Sequence, residues 1–240
     1  MIPAVLIIKN ISHENPGLIL DVLEENNILY EIIDLSNNIN LPEIDNYSLI
    51  IVMGGPDSAN DDTEKIVKEL EYIKLAYKKG IPIFGICLGL QLMVKASGGE
   101  VYKNPVEEIG FKHENEWYCI SLTEEGINDP LFHEIEKQFI VFQLHGETVR
   151  IDKTMTLLGT GRNCRNQIVK IGVLNYGFQF HFEITREMFN DWIILAPELR
   201  DKDKISIIKD FNLIYNTYEK IGKKIFQNYL NLIDQIYIAN

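Results

Sequence analysis

One cysteine stands between glycines, Gly85-Ile86-Cys87-Leu88-Gly89, at the end of the apolar run IPIFGI. A structural cysteine behaves as a small hydrophobe and needs no flanking glycines. A nucleophilic one does. A sharp strand-to-helix turn brings two backbones close together, as in the elbow that presents the serine of Gly-x-Ser-x-Gly enzymes. The segment LGLQLMVKAS that follows reads as a helix, whose N-terminus behind the sulfur favours the reactive thiolate. On the pentad alone, a core cysteine before a tight turn stays open as the plainer reading.

A base for that thiol is found in GFQFHFEI, residues 177–184, which alternates strictly. Strand side chains have period two, so Phe178, Phe180 and Phe182 face one way and Gln179, His181 and Glu183 the other. A carboxylate beside an imidazole fixes its tautomer and stabilises its charged form. A thiol served by such a histidine is an activated nucleophile. The plainer alternative is a half-buried strand with a polar solvent face. VMGGP, residues 52–56, closes a third run. Two glycines there can aim a backbone N–H into a crevice and, with the N–H of Leu88, form an oxyanion hole. An ordinary Gly-Pro turn explains it equally well.

These groups need elements to position them. VLIIKN (5–10), LYEIIDL (29–35), YSLIIVM (47–53) and IPIFGI (81–86) are short Ile- and Val-rich runs that read as buried parallel strands. Between them lie two helix candidates, PGLILDVLEENN and DDTEKIVKELEYIKLAYKKG. The second has Asp residues as cap candidates, an Ile66/Leu70/Ile73/Tyr77 stripe and a Lys-Lys-Gly end. After residue 100, EWYCISL, QFIVFQL, TMTLLGT, NQIVKIGVLNY and GFQFHFEI look like strands separated by polar turns. From Thr185 the chain reads as helical, with Ile208, Phe211, Tyr215, Tyr218, Ile221 and Ile225 in one stripe. The whole predicts an α/β fold: a flavodoxin-like open, mostly parallel sheet flanked by helices, with a small antiparallel addition and a helical C-terminal tail. No Gly/Ser/Pro linker interrupts it, so one domain is expected over 1–240, with its core over about 1–185 and the tail over 186–240. In such sheets sites gather at the carboxyl ends of the strands, where Cys87 falls.

Composition narrows the function. The 240 residues carry a net charge of −12, which argues against nucleic acid and gives no reason to expect an anionic membrane as partner. The longest apolar stretch, Ile81 to Val94, is shorter than the roughly 20 residues of a membrane span. The start lacks the pattern of a signal peptide. Three cysteines, far apart, do not suggest a disulfide framework. A reduced, soluble, cytoplasmic protein is expected. Cys119 reads as a core strand residue and Cys164 as an exposed loop residue. Convergence of Cys87, His145, His181 and Glu183 on zinc is chemically allowed, but there is neither close Cys spacing nor His-x-x-x-His; no metal and no cofactor are expected.

With these pieces in order, the sequence resembles the class I, triad-type glutamine amidotransferases. GICLGLQ (85–91) fits their Gly-x-Cys-x-Gly-x-Gln motif throughout, and FQFHFE (178–183) fits the distal motif except that Phe182 replaces proline. GGP (54–56) matches the oxyanion strand. EEIG (107–110) and QLHGE (143–147) look like segments of the subgroup similar to the amidotransferase domain of GMP synthase. The match spans roughly residues 47–185, and the helical tail looks like that of stand-alone members.

The resemblance implies that Cys87 attacks the side-chain amide of L-glutamine, with His181 as base and Glu183 orienting it. The N–H groups of Gly55 and Leu88 would hold the oxyanion. Gln91 would bind substrate, and the backbone around Leu144 and His145 would close the pocket. Phe182, pointing away from the thiol, should leave catalysis intact. Glu147 in place of aspartate bears on the acceptor side, and QLHGE also lacks the serine common before His-Gly-Asp. No Ser-Gly-Gly-x-Asp-Ser loop or Walker-type Gly-Lys-Ser/Thr appears, so ammonia would pass to a separate synthase subunit. The same triad would also serve a γ-glutamyl peptidase or hydrolase, and the same scaffold a non-catalytic binding protein.

Overall fold

A computed structural model of the chain describes residues 4–238. In chain order the elements are β1 (Ala4–Lys9), α1 (Leu18–Glu25), β2 (Tyr30–Asp34), β3 (Tyr47–Val52), α2 (Glu64–Lys79), β4 (Ile83–Ile86), α3 (Leu88–Ala96), β5 (Glu100–Gly110), β6 (Lys112–His113), β7 (Glu116–Trp117), β8 (Cys119–Leu122), α4 (Glu124–Asn128), β9 (Gln138–Ile140), β10 (Gln143–Arg150), β11 (Met155–Thr160), β12 (Ile168–Ile171), β13 (Asn175–Phe178), α5 (Arg186–Leu195) and α6 (Lys204–Ile238).

The central sheet runs β2-β1-β3-β4-β13-β12-β11-β8-β9. Its first five strands are parallel and its last four pair antiparallel. The order β2-β1-β3-β4-β13 is the flavodoxin-like one, which opens a crevice at the carboxyl ends of the strands. A separate two-stranded sheet pairs β5 with β10 and lies over that end.

The strands alternate against two different layers. Val5, Ile7, Leu49, Ile51 and Phe84 pack with α1 and the second half of α6. Leu6, Ile8, Ile50, Val52 and Ile83 pack with α2 and α3. Both faces are dry, which is why these strands read as near-continuous apolar runs. A third cluster, with Phe111, Phe142, Phe189, Trp192 and Phe211, joins α5 and the first half of α6 to the edge of the site.

Several expectations are corrected. The cap of α2 is Thr63, not an aspartate: its side chain accepts from the Ile66 N–H, while Asp61 and Asp62 lie outside the helix. β5 is a strand that the sequence did not signal. Strand 177–184 is shorter than its alternation implied: β13 ends at Phe178, and beyond it only an isolated bridge between His181 and Phe142 remains. The tail is helical as far as described, but in two helices, α5 and α6; residues 239–240 lie outside the described residues. No helix among the described residues is long and apolar enough to cross a membrane.

Candidate active site

The glycines around Cys87 are there because α3 lies directly on the sheet. A Cβ at Gly85 would meet the backbone of Gly89 at 2.7 Å, and one at Gly89 would run into Val52 O. That close approach lets the chain turn from β4 into α3 within one residue. Cys87 is that residue and takes φ 53° and ψ −106°, a strained conformation for a side chain with a Cβ. Its N–H donates to Phe178 O at 2.7 Å. Its Sγ lies at the N-terminus of α3, 3.8 Å from Leu144 O and 3.8 Å from Gln179 Nε2.

The segment after β13 keeps its alternation although it leaves the sheet. Phe178, Phe180 and Phe182 pack on one another edge to face. Gln179, His181 and Glu183 turn the other way, but not to solvent: all three are buried. His181 Nδ1 is 2.7 Å from Glu183 Oε1. The other carboxylate oxygen, Oε2, accepts the Phe182 N–H at 2.9 Å. Phe182 thus points away from the thiol with its ring while its backbone holds the acid, a bond that proline at this position could not make. Burial alone would push the His181 pKa down; Glu183 and the hydrogen-bonded Cys87 reverse this and raise it well above the ordinary range.

The segment is anchored from the tail. The His181 N–H donates to Phe142 O at 2.9 Å, and Tyr218 of α6 donates its hydroxyl to His181 O at 3.1 Å. The Trp192 ring of α5 stands edge-on to the imidazole with centroids 4.8 Å apart.

A cavity of about 240 Å³ opens beside the sulfur, lined among others by Gly55, Cys87, Leu88, Gln91, Leu144 and His145. Those six are residues the sequence had selected. The cavity is small, below the roughly 300 Å³ at which drug-sized sites begin, and suits a ligand of amino-acid size. Leu88 opens α3, so its N–H has no carbonyl within its own helix. Gln91 donates to Glu147 O at 3.2 Å and is within 3.4 Å of Gln179 Oε1. His145 lines the cavity without a free ring nitrogen. Nδ1 meets Glu147 O and Nε2 meets Glu108 Oε2, each at 3.0 Å.

Two placements differ from expectation. Cys164 is buried, not exposed; it hydrogen-bonds Thr148, and burial pushes its thiol up to about 12. The polar residues around it, Arg162 to Asn166, hid this. The donor atoms that come together are those of Glu108, His145 and Cys164, within 4.8 Å of one another, not the set of Cys87, His145, His181 and Glu183. Glu108 also accepts from Gln167 at 2.9 Å, so the first cluster is a buried hydrogen-bonded group behind His145, the one member that lines the pocket.

Sequence reasoning missed Glu14. It lies in the loop between β1 and α1, buried, with no hydrogen-bond partner for its Oε2 among the described residues. Nothing local in ISHENPG separates it from a surface glutamate.

The family model of class-I glutamine amidotransferases matches residues 11–194. The glutamine amidotransferase-like protein YfeJ of Salmonella typhimurium is 33% identical over 151 residues, 61% of each chain. A glutamine-hydrolysing GMP synthase of Borrelia garinii is 34% identical over 158 residues, 64% of this chain and 27% of that protein. The chain therefore matches less than two thirds of the length of either relative. Among solved structures, a glutamine amidotransferase from Methylobacillus flagellatus superposes with a TM-score of 0.86 at 26% identity, covering 97% of this chain and 96% of that one. One from Thermotoga maritima gives 0.83 at 27% identity, covering 94% and 97%. Sheet order, elbow and family match agree, and the chain belongs to the class-I glutamine amidotransferases.

Proposed function

We propose that the protein hydrolyses the side-chain amide of L-glutamine. Cys87 Sγ attacks the amide carbon, and its proton passes to His181 Nε2, the ring nitrogen that Glu183 does not hold. The tetrahedral oxyanion rests on the N–H groups of Gly55 and Leu88. As it collapses, the carbon–nitrogen bond breaks and His181 returns the proton to the departing ammonia. A γ-glutamyl thioester remains on Cys87. Water, deprotonated by His181, attacks it, and glutamate leaves with the thiol restored. Gln91 and the backbone of Leu144 and His145 bind and enclose the substrate.

The observation that carries this reading is the strained cysteine at a helix N-terminus, with a buried His–Glu pair aligned behind it, on the wall of a pocket of amino-acid size. The relatives named as glutamine-hydrolysing GMP synthases support glutamine as substrate. They also support a partner: the ammonia passes to a separate subunit that activates an acceptor. The three unpaired thiols fit a reducing, cytoplasmic setting.

The test is substrate choice. Purified protein is given L-glutamine or a panel of γ-glutamyl peptides, and glutamate and ammonia are measured for wild type and Cys87→Ser. Ammonia from glutamine, abolished by the substitution, is expected. Cleavage of γ-glutamyl peptides without cleavage of glutamine would replace this reading with a γ-glutamyl hydrolase.

A further inference from the structure

The loop from Asn10 to Gly17 is docked on the His181–Glu183 segment. Leu18 N–H donates to Glu183 O at 2.8 Å, and Trp192 Nε1 donates to His13 O at 3.3 Å. Gly17, at φ +49°, lies so close to Glu183 O that a Cβ would not fit. Lys9 ties the loop from within, donating to Ser12 O at 2.6 Å and Asn15 Oδ1 at 2.5 Å. This packing delivers Glu14 to the site. A Cβ at Gly54 would come within 2.5 Å of Glu14 Oε2, 3.1 Å of His181 Cε1 and 3.5 Å of Cys87 Cβ. The glutamate, the imidazole and the thiol-bearing carbon therefore border one space no larger than a methyl group, which glycine leaves open.

A buried carboxyl oxygen with no partner costs stability, and a merely structural role would be filled better by an apolar residue. The mechanism above gives Glu14 no task. Its surroundings suggest one. The charged groups acting on it are His181, Glu183, Glu198 and Lys9, and His181 is the strongest of them. Glu183 holds the imidazole at Nδ1, while Glu14 Oε2 and His181 Cε1 border the same space over Gly54.

We propose that Glu14 is a positioning residue for His181, a second carboxyl group that stabilises the imidazolium from its Cε1 edge while Glu183 does so from Nδ1. This rests on the Cys87–His181–Glu183 reading. Burial raises the Glu14 pKa to about 7, so its charge appears across neutral pH. Protonated, it leaves the imidazolium to Glu183 alone. Ionised, it extends the pH range over which His181 keeps its second proton. The device would couple the readiness of the thiol to pH near neutrality.

The test is the titration of His181, followed by NMR of protein labelled at histidine Cε1. In wild type, the His181 signal should show a first inflection near pH 7, where Glu14 ionises beside it, and deprotonate at higher pH. In Glu14→Gln the first inflection should vanish, and deprotonation should move down by about one pH unit, a tenfold change in the imidazolium-to-imidazole ratio at a given pH. Glu14→Asp should restore the inflection. A wild-type His181 signal without the near-neutral inflection overturns the proposal whether or not the variants fold, as does an identical titration in Glu14→Gln. Cys87→Ser separates this from failure of the triad. If that substitution leaves the His181 titration untouched, thiol and imidazole are not coupled, and the triad reading falls with the proposal.

Discussion

His181 Nδ1 and Glu183 Oε1 lie 2.7 Å apart, on one extended segment and away from water, each residue 1% exposed. A buried imidazole would ordinarily lose its charge; this one is held above the ordinary range by the carboxylate and the thiol it faces. Glu183→Gln preserves the shape and one hydrogen bond but removes the charge. Ammonia release should fall by about 10²–10⁴-fold. The alkaline limb of the pH–rate profile should move to lower pH, because His181 then gives up its second proton more easily. Steady-state rates across pH check both.

Phe182 separates packing from chemistry. Its ring is buried against Phe84, Phe178 and Phe180, and only its N–H reaches Glu183. Phe182→Ala keeps the N–H and empties the ring site. It should lower stability by about 3–5 kcal/mol while leaving the activity of the folded fraction within severalfold of wild type. Chemical denaturation and activity at low temperature measure the two.

Glu69 predicts a pH dependence of stability. It is fully buried on α2; Asn10 Nδ2 donates to its Oε1 at 3.1 Å, and its Oε2 has no partner among the described residues. Burial, only partly offset by Asn10 and Lys65, raises its pKa to about 7 from an ordinary value of 4.5. Between those values the unfolded chain is ionised and the folded chain holds the proton, so stability falls as pH rises through that window. Glu69→Gln does not titrate. It should be about 2–3 kcal/mol more stable than wild type above about pH 7 and equal to it below about pH 4. Urea denaturation at the two extremes checks the sign.

What was legible in the sequence follows from how local its cause is. β1, β3 and β4 are buried on both faces, so they carry unbroken apolar runs. The elbow is legible because a backbone turn demands glycines at fixed spacing. β5 was not, since Pro105 and five charged or amide residues break its pattern, and it pairs with β10 alone. The side to which Gln179, His181 and Glu183 point was legible from period two, but not that this side is covered by α5, α6 and β10. Cys164 was misread for the same reason: its neighbours are polar, while its own side chain turns inward. Glu14 had no local signature at all. Its position at the imidazole exists only once the loop docks on Glu183 and Gly54 leaves room for it.

The central claim is that Cys87 carries the glutamyl group, and peptide-mapping mass spectrometry tests it directly. Wild-type protein is mixed with L-glutamine, quenched in acid within the first turnovers, digested and mapped. A single γ-glutamyl adduct on the peptide containing Cys87, absent from Cys87→Ser and weaker in Glu183→Gln, is the expected result. Glutamine turnover that proceeds without an adduct on Cys87, or that survives in Cys87→Ser, would contradict it.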